Sequence, residues 1–179
     1  MKGEFCNMIS NNKQFNNCLT GFSHLINENC EQHRLSIKEM HDAIFLKELN
    51  KYYPNSKIYT LSVDNLGNTH KTLVKSIKYS GYHDAFRITT LTNDYITCTV
   101  NTKLLVSNSN EIIEKEIGEI TIKDRLYVYH PDRENGYGNI LLPISIVSIE
   151  YIGLRHLYSI EMEDELHNCI LSNGIILHN

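Results

Sequence analysis

The chain has 179 residues, of which 41% are hydrophobic and 21% charged, and a formal net charge of -4. That length supports one well-packed domain or two marginal ones, and folding at this size hides roughly 70% of the surface the unfolded chain exposes. The composition excludes wholesale disorder and the acidic balance argues against a nucleic-acid binder, while no apolar run approaches the ~20 residues that span a bilayer.

The N-terminus opens no signal peptide, so the expected compartment is the cytosol. Residues 1–17 are polar, Asn-rich and without a period, and read as a tail or as the end of something else. The texture changes at Cys18-Leu19-Thr20-Gly21. A helix is predicted from Ser36 to about Tyr52, because Ser36-Ile37-Lys38-Glu39 is a capping box and Ile37, Met40, Ile44 and Leu49 form an apolar stripe that Pro54 ends. Beyond Pro54 the pattern is β. Residues 58–63 alternate and Asp64-Asn65-Leu66-Gly67-Asn68 is a turn; 72–79 alternate until Ser80-Gly81 breaks them. Residues 86–91 and 95–100 flank a hairpin turn at Thr92-Asn93-Asp94. Further strands are predicted at 104–106, 120–129, 144–151, 157–162, 170–171 and 175–177, with a long polar loop over 130–138. No repeat is present. Many short strands at close spacing predict an all-β fold with one short helix, not a βαβ architecture.

Five cysteines, Cys6, Cys18, Cys30, Cys98 and Cys169, contain no CxxC pair, which argues against a zinc ribbon or a thioredoxin-like site. Cys98 alternates with Ile96 and Val100 and reads as a buried strand residue. Cys169 reads as core-facing, and Cys30 as a bystander among acidic groups. Nine histidines include no HxxxH pair, and neither a metal nor a cofactor is expected. The Glu-rich run over 111–119 reads as a solvated face. The chain closes on His167-Asn168-Cys169-Ile170-Leu171-Ser172-Asn173-Gly174-Ile175-Ile176-Leu177-His178-Asn179, two apolar strands around an Asn-Gly turn, ending in His-Asn. By itself this is a hairpin with a polar end. Its chemical interest comes from the cysteine at the other end of the β region. An Asn side-chain amide can attack its own main-chain carbonyl, closing a succinimide and releasing the following residue, and a preceding His can assist. A Cys thiol can attack the carbonyl before it and convert the amide to a thioester.

On these residues the chain resembles the inteins of the Hedgehog/intein (Hint) family, over Cys18 to Asn179. Cys18-Leu19-Thr20-Gly21-Phe22-Ser23-His24-Leu25-Ile26 is similar to the N-terminal intein block. Thr99-Val100-Asn101-Thr102-Lys103-Leu104-Leu105-Val106 is similar to the block that reads Thr-x-x-His before an apolar strand. Leu157-Tyr158-Ser159-Ile160-Glu161-Met162, His167-Asn168 and the His178-Asn179 ending resemble the two C-terminal blocks. The resemblance implies a horseshoe-shaped all-β Hint domain over 18–179, with residues 1–17 as an N-extein. It implies a mini-intein, since the acidic homing-endonuclease motif is absent between Val106 and Leu157. Cys18 would perform the N-to-S acyl shift at the Asn17–Cys18 bond, Thr99 would help destabilise that bond, and His167 and His178 would assist cyclisation of Asn179. The partners implied are the flanking exteins of a host protein, with no nucleic acid or membrane, for a monomer that works once and autocatalytically.

Three departures from the family pattern stand out. Thr102 occupies the position of the block histidine, and Asn101 beside it cannot act as an acid near neutral pH. Ser159 occupies the position of an acidic residue, so Asp164 or Glu161 would take any electrostatic part. The Cys, Ser or Thr that would begin a C-extein does not follow Asn179 in this sequence. Three alternatives therefore stand beside splicing: a Hint-type autoprocessing domain that only cleaves, a splicing-impaired variant because of Thr102, and a catalytically dead β domain that binds a partner.

Overall fold

The computed structural model describes residues 18–20, 23–25, 27, 32, 35–42, 57–64, 66–108, 111–130 and 140–178, with 18 and 108 as backbone. Asn17, Cys30 and Asn179, and the expected helix beyond residue 42, lie outside the described residues. The elements are β1 (Cys18–Thr20), α1 (Ile37–Met40), β2 (Tyr59–Val63), β3 (Thr69–Thr90), β4 (Tyr95–Cys98), β5 (Lys103–Asn108), β6 (Glu111–Glu116), β7 (Arg125–His130), β8 (Ile140–Met162), β9 (Asn168–Ile170) and β10 (Ile176–His178). The strands join in one ten-stranded sheet in the order β2-β3-β4-β1-β8-β7-β5-β10-β9, with β6 on β5 and a further pairing of β3 with β8.

The capping box forms as expected: the Ser36 amide and hydroxyl donate to Glu39 Oε2 at 2.8 and 2.7 Å. Ile37 and Met40 go fully into the core. The 64–68 turn and the 92–94 hairpin also form, the latter with Asn93 at φ 65°.

Four expectations about strand boundaries change, one of them at 95–100, where the strand ends at Cys98 and a turn begins. Residues 72–79 and 86–91 are not separate strands; Gly81, at φ 98°, carries the chain through a register shift inside one 22-residue strand. Residues 144–151 and 157–162 likewise belong to one 23-residue strand that runs antiparallel to it from Val74↔Met162 to Thr90↔Ile146. A glycine at positive φ reads locally as a break, yet a long partner strand supplies hydrogen bonds on either side of the bulge. The fourth change is at 117–124, expected to lead into a strand at 120. A 3-10 turn at Ile117–Glu119 comes first, and the Thr121 amide and hydroxyl then donate to Asp124 Oδ2 at 2.8 and 3.0 Å, so pairing resumes only at Arg125.

The Glu-rich run is a strand as well as a solvated face: β6 pairs with β5 from Lys103↔Glu116 to Asn108↔Glu111, while Ile112 and Ile113 pack against the two core clusters. Those clusters explain the unbroken apolar runs in β5 and β10. Leu104, Val106 and Leu177 enter one cluster, and Leu105 and Ile176 enter the other. Strands buried on both faces lose the polar alternation of a half-exposed strand.

Candidate functional site

Leu19 is wholly buried and anchors β1 between two neighbours, opposite Cys98 of β4 and Tyr158 of β8. The same register sets the Cys18 backbone opposite Ser159. Because β1 and β4 run antiparallel through the Leu19↔Cys98 pair, the residue that follows Cys98, Thr99, comes level with the start of β1.

From Thr99 the chain turns to Thr102 and enters β5. The turn is clamped: the Thr102 amide donates to the Thr99 carbonyl at 3.1 Å, Gly118 N–H to the Val100 carbonyl at 3.0 Å, and Ile117 N–H to the Thr102 carbonyl at 3.0 Å. Both threonines are buried, and their hydroxyls share a hydrogen bond of 3.0 Å. One of those hydroxyls donates and the other accepts. Neither ionises near neutral pH, so this position offers a hydrogen bond and not a mobile proton.

The next residue, Lys103, pairs with His178 of β10, and His178 pairs on its other side with Asn168 of β9. One four-residue turn therefore joins the strand beside Cys18 to the strand beside His178. His178 Nε2 lies 3.0 Å from Glu114 Oε1, while the other carboxylate oxygen, Oε2, lies 3.7 Å from Lys103 Nζ. The His178 side chain is 19% exposed, and its Nδ1 is buried with no hydrogen-bond partner among the described residues. Burial lowers its proton affinity; Glu114 opposes this, and Lys103 and His167 add to it. The Leu166 carbonyl also favours the charged ring, without hydrogen-bond geometry.

The remaining expected residues have local partners. His167 is exposed in a turn at φ 48°, close enough for its charge to be felt by His178. Its amide donates to Asp164 Oδ1 at 3.2 Å, and Ser62 Oγ donates to Asp164 Oδ2 at 2.5 Å, so Asp164 ties the 163–167 turn to β2. Glu161 pairs with Lys75 at 2.5 Å and accepts from Ser76 Oγ at 3.0 Å. Cys98 and Cys169 are buried in strands, as expected, and burial pushes the Cys169 thiol up to about 12. A thiol that holds its proton so firmly is a poor nucleophile.

Two residues here escaped sequence reasoning. Glu114 was absorbed in a run of like residues, and only the β6–β5–β10 order carries it to His178. Asn168 reads as a neighbour of His167, but it is buried and its side-chain amide exchanges two hydrogen bonds of 2.8 Å with the Val63 backbone.

A cleft of about 660 Å³ opens elsewhere beside Thr20, lined by Tyr79, Arg87, Tyr95, His156 and Tyr158 among others; none of Thr99, Thr102, His167 or His178 borders it. Among the described residues no group of three or more His, Cys, Asp or Glu is placed to hold a metal, and no helix is long and apolar enough to cross a membrane.

No protein-family model and no curated protein matches the sequence. Solved structures do match in fold. The transcription factor IIB Mvu mini-intein is 16% identical, with a TM-score of 0.70 over 91% of this chain and 99% of that one. A DnaB intein from Synechocystis sp. PCC 6803 is 18% identical, at 0.67 over 90% and 96%. The DnaX mini-intein from Spirulina platensis is 22% identical, at 0.64 over 90% and 99%. The path of this sheet is thus the all-β Hint fold of the mini-inteins.

Proposed function

We propose that this chain is a protein-splicing element, with residues 18–179 as the splicing domain and residues 1–17 as N-extein. The observation that carries the reading is the 99–102 turn, which links the strand beside Cys18 to the strand beside His178. Splicing needs both ends of the excised segment at one place, and this turn supports that by joining a neighbour of β1 to a neighbour of β10.

In this reading the Cys18 thiol attacks the Asn17 carbonyl carbon and replaces the amide with a thioester, freeing the Cys18 amino group. The Thr99–Thr102 hydroxyl pair supplies one neutral hydrogen bond to that junction, worth about 1 kcal/mol net. Transesterification to a C-extein nucleophile follows, and then Asn179 Nδ2 attacks the Asn179 carbonyl carbon and breaks the bond to the next residue. The proton shed by Nδ2 is the one the departing amine gains, and His178, whose proton affinity is lowered by burial, is suited to carry it. His167 acts from the turn beside it, and Ser159 and Asp164 give electrostatic support. The exteins are the only partners, and no cofactor takes part.

The test is mass spectrometry of the chain extended beyond Asn179 by a Cys- or Ser-led segment. Ligated exteins, lost in Cys18→Ala and in Asn179→Ala, are the expected result. Release of the added segment that persists in Asn179→Ala would end the succinimide mechanism. Cleavage without ligation would favour the autoprocessing alternative, and an inert chain the dead β domain.

A further inference from the structure

Glu114 is the charged group that meets the penultimate histidine from outside the expected blocks. It stands on β6, while His178 stands on β10, and β5 lies between them. Its carboxylate spans that strand, with Oε1 at 3.0 Å from His178 Nε2 and Oε2 at 3.7 Å from Lys103 Nζ. A carboxylate accepts and cannot donate, so the contact requires a hydrogen on Nε2. In a neutral imidazole the other nitrogen is then a bare lone pair, and Nδ1 is the buried atom with no hydrogen-bond partner among the described residues.

We propose that Glu114 is the positioning residue of His178, holding the ring as the Nε2–H tautomer so that its inward Nδ1 can accept a proton. This rests on the splicing reading. In the cyclisation step Nδ1 accepts the proton that Asn179 Nδ2 sheds as its nitrogen bonds to the carbonyl carbon. The same proton then passes to the amine released when the old C–N bond breaks. A ring protonated on Nδ1 instead would present a donor where an acceptor is needed, the defect that a wrong tautomer produces in other His-dependent sites. Charged groups face the ring from three elements: Glu114 of β6, Lys103 of β5 and His167 of the turn before β9. Glu114 and, among neutral groups, the Leu166 carbonyl favour the imidazolium, and Lys103 and His167 oppose it.

The experiment has two arms. Nitrogen-15 NMR of histidine-labelled protein near pH 7.5 reports the His178 tautomer without any splicing. The expected signal is Nε2–H in the parent and a mixed or Nδ1–H ring in Glu114→Gln, a nearly isosteric change at a side chain that is 37% exposed. The second arm follows release of a segment added after Asn179 between pH 5.5 and 8.5. Glu114→Gln should slow release about tenfold where the ring is neutral, part of the 10²–10⁴ that a general base supplies. It should also move the acid limb to lower pH, because a negative charge beside the imidazolium is gone. Glu114→Asp should retain the limb, and Glu111→Gln, on the same strand, should match the parent. An unchanged tautomer and limb in Glu114→Gln overturns the positioning role. If the parent releases nothing, the splicing reading falls and the role in cleavage with it, while the NMR arm still decides who holds the ring.

Discussion

Replacing Asn168 by Ala tests the packing that supports the C-terminal end of the site. Asn168 is 5% exposed, and its side chain acts as a stand-in for a strand. Its Oδ1 accepts from Val63 N–H at 2.8 Å, and its Nδ2 donates to the Val63 carbonyl at 2.8 Å and to the Leu166 carbonyl at 3.3 Å. Alanine leaves the amide and carbonyl of Val63 without these partners, and each orphaned buried group costs about 1–3 kcal/mol. The Leu166 end is only partly buried, where water can enter, so the lower half of the range applies, about 3 kcal/mol in all. For a chain of this size that is about 6–12 °C in Tm. The assay is thermal and urea unfolding followed by circular dichroism, with Asn168→Asp as the second variant. Aspartate keeps the acceptor for Val63 N–H but sets a carboxylate against two carbonyls, which raises its folded pKa above the unfolded value. Its deficit is therefore full at pH 7 and shrinks as pH falls through the raised pKa. Since Asn168 also pairs with His178 along β9–β10, release of a segment after Asn179 should slow in both variants. An Asn168→Ala protein that melts within about 2 °C of the parent would refute the reasoning, because two satisfied backbone groups would have proved worthless.

Gly174→Ala should cost about 3 kcal/mol or more: the residue sits at φ 80°, and a Cβ there would fall 2.3 Å from the Tyr129 carbonyl oxygen, as calorimetry can check. Thr102→His should raise dithiothreitol-induced release of residues 1–17 markedly, with Cys18→Ala as the zero, because a histidine can protonate an amide leaving group and a threonine cannot. Thr102 is 0% exposed, so the same variant should lose about 1–3 kcal/mol to overpacking, and a fast parent unaffected by the change would show that another residue holds the role. His178 has a folded pKa below its unfolded one, so its contribution to stability is present above the unfolded value near 6.5 and is lost as pH falls through it toward the folded pKa. Between pH 7.5 and 5.5 the parent should therefore lose more Tm than His178→Gln, and equal losses would mean that the buried ring titrates as it does in the unfolded chain.

The elements legible from sequence are those whose cause is local. The Ser36–Glu39 box, the 64–68 turn, the 92–94 hairpin and the Asn173-Gly174 turn each need only a few neighbouring residues, and each forms. The apolar runs of β5 and β10 announced burial, and the cysteine and His-Asn at the two ends of the β region announced a chemistry. Tertiary structure decided the rest, because pairing partners distant in sequence leave no local mark. Gly81 looks like the end of a strand, yet β3 runs through it, since the long partner strand β8 gives hydrogen bonds on either side. Asp164 and Glu161, equal candidates on charge alone, are separated by what they touch: Ser62 and the His167 amide for one, Lys75 and Ser76 for the other. Glu114 was one glutamate in an acidic run until the strand order brought it to His178. A side chain's electrostatic role depends on which charges lie within a few ångströms of it, and those distances are fixed only when the sheet closes.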